Sequence, residues 1–240
     1  MVTISTTDQN VLLQIQPSGF CYALSLAWLL HCTKMNQKME IKVERDRFCT
    51  EEHFYQNSQF YTNIMQVQQK LTLLLVCWNY LSQQMNAGQR PTDFDSDIKT
   101  ILTDLIPRYT AESDAVKRMQ IELEAMSSFA FRQMSTAKAP DCSFHVTHYP
   151  SCTDKSFWQA VNAMHSGDGM LITLYNKDFS KGHTIAFSKF ADVIWAYNPN
   201  WGCTHGMADD YEESDYLTDI CKECGLGEPC HLFCTKIKLT

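Results

Sequence analysis

The sequence predicts an α+β fold in which a helical first part precedes an antiparallel sheet. Residues 21–34 form an almost wholly apolar segment, and the apolar residues after it recur at helical spacing up to about residue 134. Beyond residue 140 the spacing changes to the alternation that is typical of strands. We therefore expect one domain over residues 1–240, with a helical lobe over about 18–138 and a sheet lobe over about 141–240.

The helical lobe begins with its most apolar segment. Because residues 21–34 are apolar nearly all round, they predict a buried helix and not a surface one. Apolar residues at three-to-four spacing predict a second helix over about 59–87. A third helix is expected to end before Pro107, and a fourth to run over about 112–134.

The sheet lobe consists of short segments separated by turn-forming residues. An acidic helix is expected over about 208–224, where Gly225 ends it, and a shorter helix over about 154–165. Alternation and flanking turns predict strands over about 144–148, 169–175, 182–189, 193–197 and 230–239. This order places the apolar helix against the sheet, with a cleft between the two lobes.

Composition and charge exclude several classes of function. The chain has 240 residues, of which 45% are hydrophobic, so it can bury a sizeable core. Its net charge of -7 and the absence of a basic cluster argue against a surface for nucleic acid or anionic lipid. The longest apolar run, 73–78, is far too short to span a bilayer.

Cysteine usage and the N-terminal residues indicate where the protein works. Eleven cysteines cannot all pair, and their spacing shows no compact disulfide framework, so we expect free thiols in a reducing compartment. The first sixteen residues lack the basic and apolar regions of a Sec signal peptide. We therefore expect a soluble protein that acts in a cytosol.

Cys21 is the first candidate for chemistry because it follows a Pro17-Ser18-Gly19 turn and opens the apolar helix. A thiol in the first helical turn lies near the positive end of the helix dipole and near unpaired N–H groups, both of which favour the thiolate. The thiolate is the nucleophilic form. The alternative is a structural thiol, since free cysteine is among the most buried residue types.

A nucleophilic cysteine needs a base, and His183 is the best placed histidine. It follows Gly182 at the start of a predicted strand, and Asn198 ends the next strand before Pro199. Adjacent antiparallel strands would bring Asn198 beside His183, where a carboxamide can select the imidazole tautomer that accepts a thiol proton. The alternatives are an ordinary core histidine and an asparagine that only stabilises a turn.

Three motifs in these regions resemble those of a known family. They are Gly19-x-Cys21-x-x-Leu24-Ser25-x-x-Trp28, Gly182-His183-x-x-Ala186-Phe187 and Asn198-Pro199-Asn200-Trp201-Gly202. Together they resemble the papain-like cysteine peptidases, and most closely the YopT/AvrPphB type of bacterial effector protease. The resemblance implies a papain-like two-lobed fold, Cys21 as nucleophile, His183 as base and Asn198 as the third member of a triad. That type usually carries Asp where this chain has Asn198, whereas papain itself uses Asn.

The resemblance also implies a mechanism and a biological setting. A carboxamide a few residues before the cysteine donates to the oxyanion in this family, which implies that role for Gln16, with Gln14 as the second choice. No metal or organic cofactor is required. The implied function is a thiol protease that cleaves a protein substrate, in particular a host protein, as a bacterial effector delivered into host cells without a Sec signal.

Two other functions keep part of this interpretation. The same residues could perform a different acyl transfer, namely deamidation or transglutamination of a glutamine, or cleavage at ubiquitin. A catalytically inactive interaction protein could also use the same scaffold.

A second group of thiols lies near the end of the chain. Cys221-x-x-Cys224 and Cys230-His231-x-x-Cys234 offer zinc ligands by spacing. However, Cys230 and Cys234 share one face of a predicted strand while His231 points to the other, so these residues are better explained as small core residues. The acidic residues of the helix over 208–224 are expected to face solvent, with attraction of basic substrates as the alternative.

Overall fold

A computed structural model describes residues 2–5, 21–35, 64, 66–71, 96–134, 144–213, 215–228 and 230–237. The helices are α1 Cys21–Met35, α2 Ser96–Ala111, α3 Ala115–Met134, α4 Lys155–Asn162, α5 Ala208–Glu213 and α6 Tyr216–Glu223. The strands are β1 Val2–Ser5, β2 Val146–Tyr149, β3 Gly169–Tyr175, β4 Gly182–Phe190, β5 Val193–Asn198, β6 Gly202–Gly206 and β7 His231–Ile237. Helices combined with an antiparallel sheet confirm the predicted α+β class.

The strands form one sheet in the order β1-β6-β5-β4-β3-β7-β2, and each neighbouring pair is antiparallel. The hairpin of β3 and β4 lies at its centre, with Thr173 opposite Thr184. Their hydroxyls lie 3.2 Å apart. Because β4 and β5 are antiparallel neighbours, the start of β4 and the end of β5 lie at the same edge of the sheet. Gly182-His183 and Asn198 occur at this edge.

Both faces of the sheet are covered by helices. On one face α1 packs against β3, β4 and β5, and α3 packs against α1. The opposite face carries a second apolar cluster that includes Phe157 and Trp158 of α4, Tyr211 of α5 and Ile220 of α6. Helices α5 and α6 each bury one side against this cluster. Their acidic residues lie on the other side and face solvent.

Helix α1 is buried along its length, as its apolar sequence predicts. Side chains from Tyr22 to Leu30 are all buried. The Ser25 hydroxyl donates a 2.8 Å hydrogen bond to the Thr184 carbonyl on β4, and the Trp28 ring stacks on Tyr197 of β5 at 5.4 Å. A Cβ at Gly169 would lie 2.5 Å from a methyl carbon of Leu29, so only glycine allows β3 to approach the helix this closely.

We expect Trp28→Ala to be strongly destabilising, because Trp28 is the largest fully buried side chain of the described core. Removing an indole leaves a cavity that the sheet cannot fill, and the expected loss of unfolding free energy is about 3–5 kcal/mol. Urea unfolding followed by fluorescence or circular dichroism measures this change. Met207→Ala, at a half-exposed methionine, should change stability by less than about 0.5 kcal/mol. Equal losses for the two variants would contradict the central position of α1.

The predicted break before Pro107 is wrong, since α2 continues through Pro107 to Ala111. Proline lacks the N–H that a helix interior needs, which is why an end was expected there. Contacts with other parts of the fold stabilise the helical turn around Pro107 instead. Leu105 is buried in the core, and Arg108 makes a 2.9 Å ion pair with Glu124 on α3.

Other element predictions need smaller corrections. The acidic helix over 208–224 is divided into α5 and α6, because Asp215 adopts a left-handed conformation with φ of 53°. Strands β1 and β6 were not predicted, since β6 is short with glycine at both ends and β1 pairs only with β6. Most of the helix predicted over 59–87 lies outside the described residues, but residues 66–71 are helical.

Candidate active site

Cys21 is the first residue of α1, and it is half-buried whereas the next nine residues are buried. The amide of Ala23 in this first turn donates a 3.3 Å hydrogen bond to the Gln68 side chain. The amides of Tyr22 and Thr184 stabilise the Cys21 thiolate by donating to its sulfur. The thiol therefore sits among backbone donors at the positive end of a buried helix.

His183 and Asn198 meet at the edge of the sheet where β4 begins and β5 ends. The His183 Nε2 atom lies 2.9 Å from the Asn198 Oδ1 atom, and both side chains are buried. Since a carboxamide oxygen can only accept, Nε2 carries the hydrogen of this bond. The other ring nitrogen, Nδ1, is then free to exchange a proton with a thiol.

Cys21 lies near enough to His183 for the two groups to shift each other's pKa, which completes a chain of three side chains. Burial lowers the pKa of His183, but hydrogen bonds to Cys21 and Cys224 and charge attraction to both thiols outweigh it and raise the pKa to about 10. Burial raises the pKa of Cys21, but its hydrogen bond to His183 and the imidazolium charge lower the pKa overall. Both shifts favour a thiolate and imidazolium pair.

Ser25 links α1 directly to the strand that carries His183. Its hydroxyl bonds the carbonyl of Thr184, the residue after His183, so the helix that carries Cys21 is attached to the strand that carries the histidine. In the sequence this serine was only part of a motif. Its contact explains why a polar residue is tolerated at a position that is 0% exposed.

Cys224 is a member of the site that the sequence did not predict. It is the C-cap of α6, is half-buried, and lies near enough to His183 to raise the pKa of the imidazole. Asn200 connects Cys224 to Asn198. The Asn200 backbone amide donates to Asn198 Oδ1 at 3.0 Å, and the Asn200 side-chain nitrogen lies 3.8 Å from the Cys224 sulfur. Nothing in the spacing of Cys221 and Cys224 indicated a contact with a residue of β4.

The remaining site predictions have different outcomes. Gln16 and Gln14 lie outside the described residues. His148 and His205 are the next histidines to consider if His183 is not the base, and both have other partners. The His148 Nε2 and His231 Nδ1 atoms lie 3.0 Å apart, and the His205 ring packs on Trp195.

The cysteines near the end of the chain do not converge as metal ligands. No group of three or more His, Cys, Asp or Glu side chains within the described ranges could hold a metal ion. The sheet explains this, because His231 turns towards His148 while Cys224 lies at His183. Cys234 is buried in β7.

We expect Cys21 to react with iodoacetamide at pH values where an ordinary thiol, with a pKa of about 8.5, is largely protonated. As the pH falls, the rate of alkylation should decrease only when the pH drops below the lowered pKa of Cys21. His183→Ala removes the partner that lowers this pKa and leaves the burial that raises it, so the onset should move to higher pH. Peptide mapping by mass spectrometry measures the rate. Identical pH profiles for the two proteins would contradict the ion pair.

Comparison with known proteins gives a likeness in structure but not in sequence. No protein-family profile matches the sequence, and no curated protein matches it. The crystal structure of the Pseudomonas avirulence protein AvrPphB matches with a TM-score of 0.53 and 13% sequence identity, over 98% of this chain and 97% of that one. At this identity the likeness shows a shared fold. Among the described helices, none is long and apolar enough to cross a membrane.

Proposed function

We propose that the protein is a thiol peptidase in which Cys21 is the nucleophile, His183 the general base and acid, and Asn198 the residue that orients the imidazole. The observation that carries the proposal is the contact chain from Cys21 through His183 to Asn198 at the N-terminus of α1. Cys21 comes from a distant part of the sequence to His183 and Asn198, and a structural role for any one of the three would not require the other two. The AvrPphB-like fold supports the same assignment.

The proposed reaction begins with the Cys21 thiolate. The thiolate attacks the carbonyl carbon of the scissile peptide bond, and the developing oxyanion accepts hydrogen bonds from the Cys21 amide at the helix N-terminus and, we propose, from the Gln16 carboxamide. The His183 imidazolium gives its proton to the leaving amine. The neutral imidazole then takes a proton from water, which hydrolyses the thioester and restores Cys21.

Asn198→Ala is expected to lower kcat by roughly 10²-fold, because the ring loses the bond that selects its tautomer while the nucleophile stays in place. Asn198→Asp keeps an acceptor oxygen and should recover most of the rate. Steady-state kinetics over a range of pH measure this effect, and Asn162→Ala at the exposed end of α4 is the matched control. An Asn198→Ala enzyme with the native pH profile would contradict the positioning role.

We further propose that the substrate is a protein of a host cell and that the protein is a bacterial effector. The fold shared with an avirulence protein of Pseudomonas supports this assignment. The test expresses the native chain and Cys21→Ala in eukaryotic cells and compares all protein N-termini. New N-termini that require Cys21 identify substrates and cleavage sequence. Equal sets of N-termini from the two cell populations would overturn the assignment.

A further inference from the structure

Three cysteines that the proposed peptidase does not use meet on the face of the sheet opposite α1. Cys152 lies in the turn after β2, Cys221 lies on α6, and Cys230 directly precedes β7. All three belong to the same buried cluster, and Cys221 lies near enough to each of the other two thiols for both of them to shift its pKa. All three are free thiols, so the fold places Cys221 within reach of two potential disulfide partners.

Two of the three thiols line a pocket. A pocket of about 340 Å³ is lined by Cys152, Cys230, Ser151, Thr153 and Glu228. Cys221 does not line it and is 0% exposed. Cys230 is also 0% exposed, whereas Cys152 is 5% exposed. A small molecule in the pocket therefore reaches Cys152 first, and Cys221 can only react with a group already attached to it.

Electrostatics distinguish Cys152 from Cys221. The hydrogen bond from Cys221 lowers the pKa of Cys152 to about 6; burial opposes this change, and the Thr218 hydroxyl, 3.6 Å from the sulfur, adds to it. The same contact and a second one with Cys230 raise the pKa of Cys221. Cys152 thus has the properties of an attacking thiol, whereas Cys221 stays protonated.

We propose that this pocket is a thiol–disulfide exchange site for a small disulfide that carries an amine, with Cys152 as the attacking thiol and Cys221 as the resolving thiol. We infer the amine from the pocket lining, because the negative charge of Glu228 attracts an ammonium group. Ser151 and Thr153 add hydroxyls that can accept hydrogen bonds from it. The site is separate from the proposed peptidase and does not depend on it.

The exchange runs in two balanced steps. The Cys152 thiolate attacks one sulfur of the external disulfide, the S–S bond breaks, and the first small thiolate leaves with a proton from solvent. Cys221 then loses its proton to solvent and attacks the Cys152 sulfur of the mixed disulfide, which releases the second small thiol. The two protein thiols lose two electrons and become a Cys152–Cys221 disulfide, while the external disulfide is reduced to two thiols.

The test treats the full chain carrying Cys21→Ala with cystamine, alkylates the remaining thiols and locates disulfides by tandem mass spectrometry. Removing Cys21 keeps the proposed peptidase nucleophile from consuming the reagent. We expect a Cys152–Cys221 disulfide. Adding Cys221→Ser should stop the reaction at cysteamine attached to Cys152, whereas Cys230→Ser should leave the Cys152–Cys221 product unchanged. A Cys221–Cys230 disulfide with Cys152 still free, or no reaction at Cys152, would overturn the proposal.

The charge preference is tested with a matched reagent pair. Cystamine should modify Cys152 about two- to fivefold faster than dithiodipropionate, a disulfide of similar length with carboxylates in place of amines. Glu228→Gln should remove this difference. A faster reaction with the carboxylate reagent would contradict the assigned ligand class.

A measurement without substitutions in the cluster covers the case in which a variant fails to fold. In the otherwise native chain, alkylation of Cys152 by iodoacetamide should reach half its maximal rate near pH 6, because only the thiolate reacts. A rate that rises only above about pH 8, as for an unperturbed thiol, would overturn the role of Cys152.

Discussion

Replacing Cys21 with alanine is expected to abolish peptide-bond hydrolysis, with a loss in kcat of about 10⁶-fold. The alanine keeps the helix start but removes the only atom that can attack the substrate carbonyl in the proposed mechanism. Because Cys21 is only partly buried and lies at the end of the helix, the fold should be retained. The measurement is cleavage of a substrate found by the N-terminal survey, with thermal unfolding to verify folding.

Cys203→Ala is the matched control for this variant, since Cys203 is a free thiol on β6 that takes no part in the proposed site. It should cleave at a rate near that of the native chain. An epoxysuccinyl thiol-protease reagent should label the native chain and Cys203→Ala but not Cys21→Ala. Retained cleavage by Cys21→Ala would overturn the assigned nucleophile, and no labelling of the native chain would favour a non-enzymatic interaction protein.

The mass of the treated substrate separates the proposed hydrolysis from the related acyl transfers. Hydrolysis of the backbone splits the chain, deamidation of a glutamine adds about one dalton, and transglutamination adds an amine. Each of these products would depend on Cys21. A mass change without chain cleavage would therefore keep the nucleophile and correct the reaction.

Replacing His183 with alanine is expected to lower kcat nearly as much as the loss of Cys21. The variant loses the imidazolium that stabilises the thiolate and the acid that protonates the leaving amine. The double variant should be no slower than either single one, because the two residues act as one unit. Steady-state kinetics of the three variants test this non-additivity.

His165→Ala is the control for the loss of an imidazole, since His165 is highly exposed and pairs only loosely with Asp168 at 3.5 Å. Its rate should stay near the native one. If His183→Ala kept near-native rates while Cys21→Ala did not, another base would be required. His148 would be a poor replacement, because His231 lies beside it and burial lowers the pKa of His148.

The sequence predicted the elements whose signal is local. Helix α1 begins at Cys21 as expected, because a continuous apolar segment can form a stable helix only when it is buried. Strands β3, β4 and β5 also follow their predicted ranges closely. The errors occur where distant contacts decide the conformation, as at Pro107, where packing on α3 outweighs the missing hydrogen bond.

The candidate site was predictable to the same extent. Residue chemistry singled out Cys21, His183 and Asn198, and strand adjacency explained how the last two could meet. The short bond between His183 and Asn198 lies at the sheet edge where that reasoning expected it. The catalytic roles of the three residues stay a prediction until the variants are measured.

The sequence by itself determined the α+β class, the buried helix headed by Cys21 and the residue types available for thiol chemistry, because these depend on composition and local spacing. Only the tertiary structure decided which thiols lie beside which partners. It placed Cys224 at His183, and it gathered Cys152, Cys221 and Cys230 under the opposite face of the sheet. The physical reason is that α6 packs on the sheet through one side, and its last turn carries Cys221 into the core and Cys224 to the edge.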